Sequence, residues 1–277
     1  MRLILTRAGI ALLWLLHWLP LPVLAAIGRG IGVLAYPLAR ARRRIALTNL
    51  RLCFPDRPEA EIRALARAHF SSFCRAVMER PVLWWGSRER LLRFIRVRGL
   101  EHVTARAGLP TILLCPHFVG LDAAATRLTA DIRGCSMYSK PKNPVVHRLM
   151  TRGRTRFAPT LLFSRQEGIR GIVKAIREGY PFYYLPDQDF GRRESIFVPF
   201  FGVQAATIPA LSRLARLTGA AVLPVIVFQC RDGYDIEVQP PWEGFPGASV
   251  EEDTAFMNRF IESQVLRMPE QYFWLHK

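Results

Sequence analysis

The chain has 277 residues, half of them hydrophobic, enough for one large domain with a sizeable core and an accessory segment. It shows no fixed-period repeat and no stretch of polar, low-hydrophobicity composition, which excludes a solenoid and a long disordered tail and leaves a compact enzyme or binding protein. Its formal charge of +17 calls for a negative partner or surface: nucleic acid, anionic phospholipid, or a phosphorylated or acidic substrate. The cations are overwhelmingly Arg, the lysines being Lys140, Lys142, Lys174 and Lys277. Arginine forks suit phosphate, although a genome favouring Arg codons would leave the same bias.

From Ala8 to Gly28 there is no formal charge, a length that could cross a bilayer. Pro20 and Pro22 interrupt the run, so the pattern predicts a helix from about Leu3 to Trp18, a break, and a second apolar helix from about Val23 to Tyr36. Trp14 and Trp18 suit a headgroup interface. Leu24-Ala-Ala offers a weak signal-peptide cleavage site, but the chain stays apolar beyond it and then turns basic at Arg40-Ala-Arg-Arg-Arg44. The expectation is an uncleaved anchor over residues 1–40, spanning the membrane or lying in one leaflet, followed by a cytoplasmic domain over 41–277. Five scattered cysteines (Cys53, Cys74, Cys115, Cys135, Cys230) include no Cys-x-x-Cys, which predicts reduced, mostly buried thiols and no zinc site.

A turn at Pro55-Asp-Arg-Pro58 precedes a helix over Glu59 to about Met78, with Ile62, Leu65, Ala66, Phe70, Phe73 and Val77 at helical spacing. Phe94–Arg98 alternates as a strand and Thr111–Cys115 reads as a buried one. Helical character returns after His117, and Arg165–Glu178 is the next helix. Pro181–Leu185 is a further buried strand, and Ile208–Thr218 a helix closed by Gly219. Ala220–Phe228 is a strand pair or one strand broken at Pro224. Tyr234–Val238 is a half-exposed strand, and Glu252–Val265 a closing helix. The alternation predicts an α/β fold, a mixed central sheet flanked by helices behind an N-terminal hydrophobic anchor.

His117 sits at a strand-to-helix corner, where α/β proteins present reactive groups to a crevice. Asp122 follows five residues later. On a continuous helix that step turns a side chain roughly 140° away, so the two can meet only across a loop-to-helix bend, which Pro116 and Gly120 permit. A carboxylate there would fix one imidazole tautomer and free the other nitrogen to take a proton. A capped structural histidine would have the same spacing. A second constellation, Tyr184-Leu-Pro-Asp187-Gln188-Asp189-Phe-Gly-Arg192-Arg193, could bind a polar headgroup or form an ion-paired surface turn. The aromatic run Ile196–Gly202 suits either an acyl groove or core packing. Arg152, Arg154, Arg156, Arg165 and Arg170 form a basic region fit for phosphate, for a carrier protein or merely for solvent.

The His-x4-Asp pattern at His117 and Asp122 resembles the signature of the lysophospholipid acyltransferase superfamily. Several further blocks, in order along nearly the whole chain, resemble its bacterial lipid A late acyltransferase branch (lauroyl or myristoyl transferases). They are Arg43-Arg-Ile-Ala-Leu-Thr-Asn-Leu-Arg-Leu-Cys-Phe-Pro55, Pro186-Asp-Gln-Asp-Phe-Gly191, Val198-Pro-Phe-Phe-Gly202 and Pro269-Glu-Gln-Tyr-Phe-Trp-Leu-His276. The resemblance implies an inner-membrane enzyme whose domain faces the cytoplasm. It would move a fatty acyl group from acyl carrier protein to a hydroxyl of a Kdo-bearing lipid A precursor. His117 would be the general base and Asp122 its orienting acid, with substrate held by Arg154, Arg165, Gln188 and Asp189. It implies no cofactor, no metal and no nucleic-acid partner, and contact with anionic membrane lipid. Direct transfer fits the absence of a well-placed Ser or Cys nucleophile motif; Cys115 lies on the predicted strand. Two departures stand out: the family pattern continues past Trp274-Leu-His276 with a further basic segment, and Lys140 occupies a region where arginine is common. The competing expectations are an acyltransferase for another glycolipid or a lysophospholipid, and a basic membrane-binding protein without enzymatic activity.

Overall fold

The computed structural model describes residues 2–188 and 194–276. The chain opens with two apolar helices, α1 (Arg2–Leu16) and α2 (Leu21–Leu38), divided at the expected proline break. Pro20 caps α2 and Pro22 lies in its first turn, where a missing N–H leaves nothing unsatisfied. The basic stretch coils into α3 (Arg40–Cys53), and α4 (Glu59–Trp85) starts behind Pro58. Helix α4 outruns its expected end at Met78 and passes through Pro81. A mid-helix proline costs roughly 3 kcal/mol, which the burial of Val82 and Leu83 in the core offsets.

Then follow α5 (Arg88–Phe94), β1 (Ile95–Arg98), α6 (Leu100–Thr104), β2 (Thr111–Leu114), α7 (Leu121–Leu128) and β3 (Gly134–Tyr138). Next come α8 (Pro144–Arg154), β4 (Thr160–Ser164), α9 (Arg170–Arg177), β5 (Phe182–Tyr184), the hairpin of β6 (Ile196–Phe200) and β7 (Val203–Thr207), and α10 (Ala210–Thr218). The last elements are β8 (Ala221–Cys230), β9 (Gly233–Val238) and α11 (Val250–Arg267). Seven strands form one sheet in the order β1-β9-β8-β2-β5-β3-β4. Its neighbours are parallel except β8 and β9, so the expected mixed α/β sheet is what forms.

Local detail departs from the sequence pattern in places. Strand β8 is continuous through Pro224, because the strand pairs with β2 up to that residue and with β9 from Val225 onward. A proline is tolerated where a strand changes partners. The helix expected over Arg165–Glu178 is a 3-10 turn at Arg165–Glu167 and then α9, divided by Gly168 at φ +73°. The aromatic run Ile196–Phe200 is a hairpin strand, and β3, α8 and β4 form in a stretch with no clear periodicity.

Helix α2 lies against α4 through Gly28 and Gly32, where the two backbones nearly touch. A Cβ on Gly28 would sit 2.5 Å from the Arg75 Cα, and one on Gly32 2.5 Å from the Ser71 Cα. The guanidinium of Arg90 donates to the carbonyls of His17 and Leu19, closing the frayed end of α1. On α1, α2 and the turn between them, Leu12, Leu15, Trp18, Val33, Leu34 and Leu38 stand exposed. By length and composition, α2 is long and apolar enough to cross a membrane.

Candidate active site

Strand β2 is buried along its whole length, and β5 runs parallel to it with Leu114 opposite Tyr184. Three residues beyond that pair, each chain has passed a proline and presents a polar side chain: His117 after Pro116, and Asp187 after Pro186. The two meet. The Asp187 carboxylate accepts from His117 Nδ1–H at 2.7 Å and from the His117 main-chain N–H at 2.8 Å. The Tyr272 hydroxyl lies beside the same carboxylate and favours its charged form. Burial pushes Asp187 upward, but the charge and hydrogen bonds of His117 overcome this and hold it below the usual carboxylate range.

The C-terminal segment braces this corner from behind. Phe273 N–H donates to the His117 carbonyl at 2.9 Å, and Val119 N–H to the Gln271 carbonyl at 2.9 Å. Helix α3 holds the segment in turn, with Asn49 donating to the carbonyls of Trp274 at 3.0 Å and His276 at 2.7 Å. Arg42 donates to the Leu275 carbonyl at 3.0 Å. The sequence blocks around Arg43–Pro55 and Pro269–His276 are thus two parts of one support.

Asp122 is placed differently from expectation. The loop bends as required, and Gly120 has no room for a side chain, since a Cβ there would meet Val227 Cγ2 at 2.7 Å. Yet α7 begins at Leu121 and carries the Asp122 carboxylate toward α4 and α8. There it pairs with Arg80 at 2.7 Å and Arg154 at 3.5 Å. Among the described residues it makes no hydrogen bond to His117, whose Nδ1 is taken by Asp187. Burial would raise the Asp122 carboxyl, and the two guanidinium charges hold it below the ordinary range.

His117, Asp122, Arg154, Arg165 and Gln188 all line one cavity of about 560 Å³. Asp189 lies outside the described residues. The rest of the wall is largely apolar, with Leu128, Ile132, Met137, Leu162, Ile172 and Leu214. A pocket of this size with a few convergent polar groups suits a ligand with a long apolar part. The aromatic run does not supply the lining. Phe200 packs on Tyr272 with centroids 6.1 Å apart, Phe201 on Phe54 at 5.1 Å, and Phe197 points outward. Arg156, grouped with the basic region in the sequence, is structural and donates to the carbonyls of Leu83 and Gly86.

Cys115 is buried one residue past β2, its thiol aimed at the Leu113 carbonyl at 3.4 Å. Burial pushes that thiol well up, away from the thiolate a nucleophile needs. Among the described residues no group of three or more His, Cys, Asp and Glu is placed to hold a metal ion.

Residues 1–277 match the family described as bacterial lipid A biosynthesis acyltransferase. The chain belongs to that family. Lipid A biosynthesis acyltransferases similar to it include the Escherichia coli K12 lauroyltransferase, 36% identical over 99% of this chain and 90% of the relative. The E. coli K12 palmitoleoyltransferase is 34% identical over the same shares, and the myristoyltransferase of that strain is 34% identical over 92% of this chain and 79% of its own length. Among solved structures, the 1-acyl-sn-glycerophosphate acyltransferase of Thermotoga maritima aligns at a TM-score of 0.42 and 13% identity. That alignment covers 90% of this chain and 97% of the other. As a lipid A biosynthesis acyltransferase the chain is an enzyme, which sets aside the reading of a purely binding protein.

Proposed function

We propose that the chain transfers a fatty acyl group from acyl carrier protein to a hydroxyl of a Kdo-bearing lipid A precursor. The observation that carries this is the cavity: an apolar chamber whose wall holds His117, Asp122, Arg154, Arg165 and Gln188 together. In this reading His117 Nε2 takes the proton of the acceptor hydroxyl. The oxygen attacks the thioester carbonyl, the C–S bond breaks, and the departing carrier thiolate takes the proton back from the imidazolium. The enzyme supplies no covalent nucleophile, metal or cofactor. The apolar wall takes the acyl chain, while Arg154, Arg165, Gln188 and Asp189 hold the polar parts of the two substrates. Asp122, the acid of the His-x4-Asp pattern, lies on the same wall and holds one of its arginines, Arg154, together with Arg80.

The apolar faces of α1 and α2, with Trp14 and Trp18, keep the enzyme at the inner membrane with its domain toward the cytoplasm. The cluster Arg40–Arg44 adds attraction to anionic lipid. Mass spectrometry of lipid A tests the reading, using cells lacking the gene and cells rescued with wild type or His117→Ala. The expected result is the loss of one acyl chain, restored by wild type alone. Unchanged lipid A in the knockout overturns the reading. Purified enzyme offered the same acyl group on carrier protein or on coenzyme A identifies the donor.

A further inference from the structure

We propose that Asp187 is the positioning carboxylate of the transfer reaction, holding His117 in its Nδ1-protonated tautomer and balancing the imidazolium that forms. Asp122 instead pairs with Arg80 and positions Arg154 on the cavity wall for the anionic part of a substrate. This rests on His117 being the general base, and divides between two acids a role that the His-x4-Asp spacing assigns to one.

The first observation is geometric. Both Asp187 oxygens are committed to His117, one to the ring at 2.7 Å and one to the backbone at 2.8 Å, which fixes the ring and the loop that carries it together. An ionised carboxylate only accepts, so the Nδ1 proton is on the ring, and Nε2 is the nitrogen left for the cavity that His117 lines. The second observation is charge. Among the described residues Asp187 pairs with no arginine or lysine, and the Tyr272 hydroxyl beside it is neutral. Its negative charge is therefore free to stabilise a positive imidazole. The Asp122 charge is already met by two guanidinium groups and has little left for a third cation. The third is burial. The Asp187 side chain is 7% exposed and that of Asp122 24%, so water screens the His117–Asp187 pair less.

The charged and titratable groups around the imidazole are Asp187, Tyr272 and Cys115 on the protein side. On the cavity side they are Asp122 with Arg80 and Arg154, then Arg165 and Glu194. Of these, Asp187 alone among the described residues makes a side-chain hydrogen bond to the ring.

The test is the pH–rate profile of the purified full chain, with acyl-carrier thioester as donor and lipid A precursor as acceptor. Asp187→Asn should lower kcat by about 10²- to 10⁴-fold, the range expected when a base loses its orienting carboxylate. Its KM values should stay near wild type, and the acidic limb of its profile should move to lower pH. Tyr272→Phe keeps the ring packing and removes the hydroxyl that favours the charged form of Asp187, which strengthens the carboxylate's hold on the imidazolium. Its acidic limb should move the opposite way, and melting temperatures show that it is folded. Asp122→Asn should raise KM and change its salt dependence while leaving the limb in place. A limb that moves in Asp122→Asn and not in Asp187→Asn, or a loss in Asp187→Asn confined to KM, overturns the assignment. His117→Ala run in parallel separates the two readings: full turnover there sinks the base itself, whereas an inactive His117→Ala leaves only the choice of acid at stake.

Discussion

Gly28, Gly30 and Gly32 make a controlled experiment within two helical turns. A Cβ on Gly28 would lie 2.5 Å from Arg75 Cα and 2.9 Å from two more backbone atoms. On Gly32 it would lie 2.5, 2.6 and 2.7 Å from the backbone of Phe70 and Ser71. Ordinary contact begins at 3.4 Å, so either methyl forces the two backbones apart by up to about an ångström, with no flexible side chain to absorb the shift. Gly30 has nothing within 4 Å. All three Gly→Ala changes gain about 1 kcal/mol of helix propensity, and only the outer two meet an overpacking cost of about 1–3 kcal/mol. Gly30→Ala should therefore stabilise, and Gly28→Ala and Gly32→Ala should fall below it by that steric difference. At about 2–4 °C per kcal/mol in a domain of this size, the gap in Tm of detergent-purified protein is several degrees. Activity should follow, because α4 carries Arg80 to Asp122. Three variants with equal Tm would refute the packing, and would mean that α2 leaves α4 under the conditions measured.

Three more outcomes are expected. Glu79→Ala leaves the Arg75 guanidinium buried without the partner it now holds at 2.8 Å; denaturant titration should show a loss of about 3–5 kcal/mol. Cys115→Ala should keep turnover within a few-fold of wild type, and the wild-type thiol should resist alkylation at neutral pH, because burial holds it protonated. Asn49→Ala removes two donors from the C-terminal segment, at about 1–3 kcal/mol of stability; kcat should fall with it, since Phe273 no longer steadies His117.

The local parts of this molecule were legible from residue order. The two-proline break, the buried β2, the corner at His117 and the α/β alternation all rest on patterns a few residues long. The site was readable as a set of residues and less so as a set of contacts. Asp187 stood out only as one acid of a polar turn, because pairing between parallel strands is set by register between distant segments, which single-sequence periodicity does not report. A signal was present, however. Leu114-Cys-Pro-His117 and Tyr184-Leu-Pro-Asp187 share a strand-then-proline ending, and aligning them predicts the contact. Arg80 was lost for another reason. The apolar spacing predicts a helix only to about Met78, short of Arg80, whereas core burial carries α4 on to Trp85. Strand β3, which lines the cavity along its whole length, and helix α8, which adds Met150 and Arg154, lie in sequence where tertiary packing rather than local pattern decides.

The brace behind His117 has a consequence in time. Residues leave the ribosome in order, so α2 and α4 can pack through Gly28 and Gly32 long before Gln271, Tyr272 and Phe273 exist. Until those residues arrive, the His117 carbonyl lacks its donor from Phe273 and Asp187 lacks the Tyr272 hydroxyl. The His117 corner is thus braced only after the apolar helices have been made, and a nascent chain can settle those helices before that corner is held.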